Sequence, residues 1–150
     1  MTKTVTSDVH SLTFTHLVLG RTYPVSVLAL NATGPGTVAQ ASVLLATVPG
    51  APHIAKLKQG KKGGAKTAVA VWRSPSATGG LPIRQYQVTV YRVKQHSTRV
   101  LKRLTVPATT HRLEVKLPGS TKVRYRFSVK ARNADGWGAS STRSSKIAPR

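Results

Sequence analysis

Residues 124–138 read RYRFSVKARNADGWG, and this stretch decides the fold. Tyr125, Phe127, Val129 and Ala131 alternate with Arg124, Arg126, Ser128, Lys130 and Arg132. Successive side chains of a strand point to opposite faces, so one face is apolar and the other cationic. The NADGWG that follows is a turn whose glycines supply the positive φ that tight hairpins need. Working outward, similar short segments recur at about 53–58, 67–73, 83–94, 98–104, 110–117 and 139–147. Turn-rich stretches separate them: KKGGAK, SPSATGGLP, VKQHS, TVPA and LPGS. Seven short strands punctuated in this way predict an all-β chain folded as an antiparallel β-sandwich. No stretch carries helical periodicity.

The chain also repeats itself. A shift of 102 residues lays Tyr23 on Tyr125, Val27 on Val129, Ala29 on Ala131, Asn31 on Asn133, Gly34 on Gly136 and Gly36 on Gly138. NATGPG and NADGWG are therefore two copies of one hairpin loop. With a repeat unit of about 100 residues, residues 1–48 hold only the last half of a first copy.

Composition excludes much chemistry. The 150 residues carry 24 Lys+Arg against 3 Asp+Glu, a formal net charge of +21, and no cysteine. The acids are Asp8, Glu114 and Asp135. So few carboxylates rule out most two-carboxylate hydrolysis and oxygen-ligand calcium or magnesium sites. Without cysteine there are no disulfides, thiolate nucleophiles or CxxC zinc clusters. The histidines at 10, 16, 53, 96 and 111 show no HxH, HxxxH or HExxH spacing, so no metal is expected. No GxGxxG, phosphate loop or GxSxG is present, and GKKGGAK lacks the phosphate-loop spacing. No nucleophile, base and orienting acid can be assembled, so neither enzymatic activity nor a cofactor is expected. MTKTVTSDVH does not read as a signal peptide, and the longest apolar runs, near 25–30 and 43–48, fall far short of the ~18 residues of a membrane span.

The charge is unevenly placed. Residues 1–50 hold Lys3 and Arg21 against Asp8, whereas 51–150 hold 22 basic and 2 acidic residues. An asymmetry of this size points to a polyanionic partner for the basic segment, against the plainer reading of a surface kept soluble by cations.

These residues carry a family resemblance. The segment 51–150 resembles a complete fibronectin type III domain: an APHI opening, Trp72 in VAVWRSP, GGLPIRQYQVTVY, then Leu117, Tyr125, Phe127 and Val129, and the NADGWGASS close. The segment 1–48 resembles the end of another, with LVLGRTYPVSVLALNATGPG, followed by a VPGAP junction. The resemblance implies an immunoglobulin-like sandwich, divided as a truncated copy at 1–48 (strands E, F and G), a Pro/Gly linker at 49–52 and a seven-stranded domain at 53–150. It leaves Leu12, Phe14, Leu17, Tyr23, Val25 and Val27 with no sheet to pack against within the chain. Two explanations stand: the chain is a fragment, or other domains of the same or a partner chain complete the half-domain, by edge pairing in the latter case. Tyr23 and Tyr125 resemble the tyrosine-corner position, and Trp72 faces the core in this family.

The family's topology also places the charge. Strands C′, C, F and G form one sheet there, so Arg124, Arg126, Lys130 and Arg132 make an outward stripe spanning ~26 Å, beside Gln87, Thr89 and Tyr91. The matching positions of the first copy, Pro24, Ser26, Leu28 and Leu30, are neutral. Three loops gather at one pole, contributing Lys58, Lys61, Lys62 and Lys66, then Lys94, His96 and Arg99, then Lys122, with Arg150 nearby. Trp137 is either an exposed stacking residue, with Tyr91, or a cover for the sandwich edge. Asn31-Ala32-Thr33 fits the glycosylation sequon, or matches it by chance in an ordinary turn. The resemblance implies a non-catalytic spacer or binding module of a larger extracellular, cell-surface or envelope-associated protein. Charge placement adds a polyanion such as acidic polysaccharide or cell-envelope polymer. The alternatives are a sequence-nonspecific nucleic-acid-associated protein and a spacer without ligand, a phage virion component included.

Overall fold

The structure is a computed structural model describing residues 2–94, 97–120 and 122–149. The chain divides into two compact units, Met1–Leu45 and Ala46–Arg150. Ala46, Thr47 and Val48, assigned from sequence to the first copy, therefore fall in the second unit. The Thr47 amide donates to Gly79 O (2.9 Å) and its carbonyl accepts from Asn133 Nδ2 (2.7 Å), which ties the segment to the larger sandwich.

The first unit contains β1 (Thr22–Val27), β2 (Leu30–Asn31), β3 (Gly34–Pro35) and β4 (Ala39–Leu44). β1 pairs antiparallel with β4, and β2 with β3 in the NATG hairpin, where Gly34 has φ 128°. Leu12, Phe14 and Leu17 lie outside any strand. Two strands cannot bury a face. Val25 and Val27 remain 38% and 67% exposed, while their repeat equivalents Phe127 and Val129 are fully buried. Arg21 O accepts from Leu45 N, so alternate residues Arg21, Tyr23 and Val25 face β4, and Pro24 faces the open edge of β1. Proline has no N–H, so a strand added there would lose a ladder bond at the centre.

The second unit holds β5 (His53–Gln59), β6 (Thr67–Arg73), β7 (Gln85–Lys94), β8 (Ser97–Pro107), β9 (Arg112–Lys116), β10 (Arg124–Arg132) and β11 (Trp137–Ser140). One sheet runs β5-β6-β9, the other β11-β10-β7-β8, and every pairing is antiparallel. Between them lie Ala68, Ala70, Trp72, Tyr86, Val88, Val90, Val115, Leu117, Tyr125, Phe127, Val129 and Ala131. Each large member contributes about 1.5–3 kcal/mol of apolar burial. Trp72 packs edge-on to Tyr86 at 5.7 Å.

The last strand differs most from expectation. Alternation predicts a strand over 139–147, but β11 ends at Ser140 and only the bridge between Tyr125 and Ile147 follows. In the interval, Ser141 N donates to Val129 O while Ser141 Oγ accepts from Val129 N; Ser144 does the same with Phe127. Residues 141, 144 and 147 thus pair with 129, 127 and 125. Three residues advance for every two of β10, and serine hydroxyls stand in for ladder carbonyls.

Candidate polyanion-binding face

Alternation along β10 turns Arg124, Arg126, Ser128, Lys130 and Arg132 outward, because Tyr125, Phe127, Val129 and Ala131 are at 0% exposure on the other side. In register with them on β7 lie Val93, Tyr91, Thr89, Gln87 and Gln85. On β8, Arg103 pairs with Thr89 and shares its outward side. Arg143, beyond β11, reaches over the same face, its Cζ 4.5 Å from the centre of the Tyr91 ring. No acidic residue occurs in β7, β8, β10 or β11. Glu114 lies on β9 of the other sheet, accepting from Thr67 Oγ1 at 2.7 Å with Arg112 at 4.0 Å.

Both aromatic residues of this face are engaged by the chain's own cations. Lys130 Nζ sits 4.8 Å and Arg132 Cζ 5.7 Å from the Trp137 ring centre. The Tyr91 hydroxyl is 3.1 Å from Ser128 Oγ, which fixes the ring under Arg143. Trp137 and Tyr91, considered from sequence as stacking residues, here carry the chain's own cations over their rings.

The expected pole is also recognisable. β5, β7 and β9 end there while β6, β8 and β10 begin, bringing together the exposed Lys61, Lys62, Lys66, Lys94, Arg99 and Lys122. Leu117 N donates to Lys66 O (2.9 Å), tying the end of β9 to the start of β6, and Lys102 Nζ on β8 donates to Lys116 O on β9 (2.9 Å). His96 and Arg150 lie outside the described residues. Sequence reasoning missed Arg103, Arg143 and Arg92. Arg92 opposes Tyr125 on the inner side at this pole, its Nε buried with no hydrogen-bond partner among the described residues. Burial pushes the Tyr125 hydroxyl above the ordinary tyrosine range, with Arg92 pulling the other way, and that hydroxyl donates to Pro118 O. Among the described residues no three His, Asp or Glu side chains converge as metal ligands.

The loop between β10 and β11 anchors the opposite end. Asn133 is 1% exposed; its Nδ2 donates to Thr47 O (2.7 Å) and Thr78 O (3.0 Å), and its Oδ1 accepts from Asp135 N and Gly136 N (2.9 and 3.1 Å). Sheet order, tyrosine corner and this loop agree with a match to the family model described as fibronectin type III domain, over residues 52–147. The chain belongs to the fibronectin type III domain family. Solved structures agree on the fold. The rat CD45 extracellular region, domains d3–d4, is 19% identical with a TM-score of 0.59, covering 100% of this chain and 74% of that one. Titin domains A168–A170 are 21% identical with a TM-score of 0.55 over 74% of this chain, which spans 36% of the titin structure. Chicken CNTN1 domains FN1–FN3 are 19% identical with a TM-score of 0.55, over 89% of this chain and 44% of that one. No curated protein matches the sequence. Among the described residues no helix is long and apolar enough to cross a membrane.

Proposed function

We propose that this fibronectin type III chain is a non-catalytic spacer and binding module of a larger extracellular or envelope-associated protein, whose second unit binds polyanions through the outer face of its four-stranded sheet. The observation that carries the reading is Arg103, Arg124, Arg126, Lys130, Arg132 and Arg143 gathered on one face built from strands without a single acid. Like charges this close repel one another, and a polyanion relieves that repulsion while releasing its own counterions. Acidic polysaccharide or cell-envelope polymer is the favoured class, in keeping with the extracellular or envelope setting proposed for the module, and no residue of the face is placed to read base edges.

The test titrates the whole chain with a sulfated polysaccharide, a polyuronate, duplex DNA and anionic vesicles near 50 mM and 200 mM salt. Replacing Arg124, Arg126, Lys130 and Arg132 by serine weakens binding about tenfold or more, with the domain still folded by its melting curve. Absence of binding by the wild-type chain near 50 mM salt overturns the reading. Preference for duplex DNA favours the nucleic-acid alternative.

A further inference from the structure

Arg143 is presented differently from the other cations of the face. It lies between Ser141 and Ser144, whose amides and hydroxyls each make two bonds to β10, so the backbone on both sides is pinned. The three-for-two advance of this segment lifts Arg143 out of the ladder and lays its guanidinium on the Tyr91 ring at 4.5 Å. The ring is held by its hydroxyl against Ser128 Oγ at 3.1 Å. A guanidinium held over a ring keeps N–H donors that the ring does not occupy, and its planar fork matches an oxyanion with two parallel hydrogen bonds. Among the described residues these donors have no hydrogen-bond acceptor, and Arg126, in register with Tyr91, brings a second cation alongside. Small neighbours, Ser128 and Thr89, lie beneath, with Arg103 opposite Thr89. Lys130 and Arg132 on Trp137 repeat the cation-on-ring arrangement farther along β10, where Trp137 is in register with Arg132.

Resting on the polyanion reading above, we infer that Arg143 is the anchor of this face, taking an oxyanion of an acidic polysaccharide in bidentate fashion, with Tyr91 as its positioning residue. The stripe on β10 then extends the contact to neighbouring anionic groups. A diffuse cationic surface responds only to net charge, whereas this anchor responds to the shape and orientation of one side chain.

Substitutions that preserve charge separate the two. Binding of a size-defined heparin oligosaccharide to the full chain is measured by calorimetry near 50 mM salt, beside a melting curve for each variant. Arg143→Lys keeps the charge but loses the planar fork and is expected to weaken binding about tenfold. Tyr91→Leu removes the platform without touching any charge and weakens binding about threefold or more. Lys56→Ser removes a charge from β5, on the opposite sheet, and changes affinity by less than about twofold. Arg143→Lys binding within twofold of wild type at an unchanged melting temperature overturns the anchor while the polyanion reading stands. So does a loss from Lys56→Ser equal to that from Arg143→Lys. Tighter binding of duplex DNA than of the oligosaccharide overturns the polysaccharide assignment, and no wild-type binding to any probe defeats the underlying reading.

Discussion

Truncating Asn133 to alanine tests how the loop between β10 and β11 holds the second unit together. The side chain makes four hydrogen bonds, two as donor to Thr47 O and Thr78 O and two as acceptor from Asp135 N and Gly136 N. Asp135 is exposed, so the turn amides can turn to water at little cost. The two carbonyls lose a shared buried donor, and each net bond is worth roughly 1 kcal/mol, more where a partner is left unpaired. The expected loss is therefore about 2–4 kcal/mol, a large part of the ~5–15 kcal/mol of a domain this size, and lowers its melting temperature by roughly 10–25 °C. Urea unfolding followed by tryptophan fluorescence reads it, since Trp72 is in the core and Trp137 on the face. Asn133→Asp keeps the acceptor but aims a carboxylate at two carbonyls, so it is expected to be no more stable than Asn133→Ala. The repeat supplies a control: Asn31, exposed, uses only Oδ1, accepting from Thr33 and Gly34. Asn31→Ala costs less than about 1 kcal/mol. A loss below about 0.5 kcal/mol for Asn133→Ala refutes the reasoning.

Two further outcomes follow from the same geometry. Tyr125→Phe removes the bond to Pro118 O and costs about 1–2 kcal/mol near neutral pH. Burial raises the hydroxyl's folded-state titration above the ordinary 10.0, so its stabilisation is intact below that pH and lost as pH rises further; urea midpoints across the alkaline range should fall more steeply for wild type than for Tyr125→Phe, and parallel curves would contradict this. Gly138→Ala brings a methyl to 1.9 Å from Pro49 O, a backbone atom that cannot move aside cheaply, and costs about 1–3 kcal/mol in the same unfolding assay; a neutral result would mean the 47–50 segment is not held as described.

Period-two alternation left the sandwich legible in the sequence. It marked the inward residues of β10 because a slip of one residue would expose them all. It failed after Ser140, where Ser141 and Ser144 replace carbonyls by hydroxyls in a three-residue repeat that no strand template contains. The same irregularity hid Arg143, which joins the face from outside any strand. Arg103 was hidden by the bulge opposite Val90 and Tyr91, which reverses the inward and outward sides of VLKRLTV partway along β8. The stripe on β10 was readable because its cations sit on one regular strand. Trp137 was not, since nothing in NADGWG says that Lys130 and Arg132 will cover the ring.

The salt dependence of binding to a sulfated polysaccharide, wild type beside the chain with Arg124, Arg126, Lys130 and Arg132 all changed to serine, tests the central claim most directly. Log affinity should fall linearly with log salt for both, and the four substitutions should reduce the steepness by about 3 to 4, close to one for each neutralised contact. An unchanged slope would place the contacts elsewhere on the chain and contradict the account.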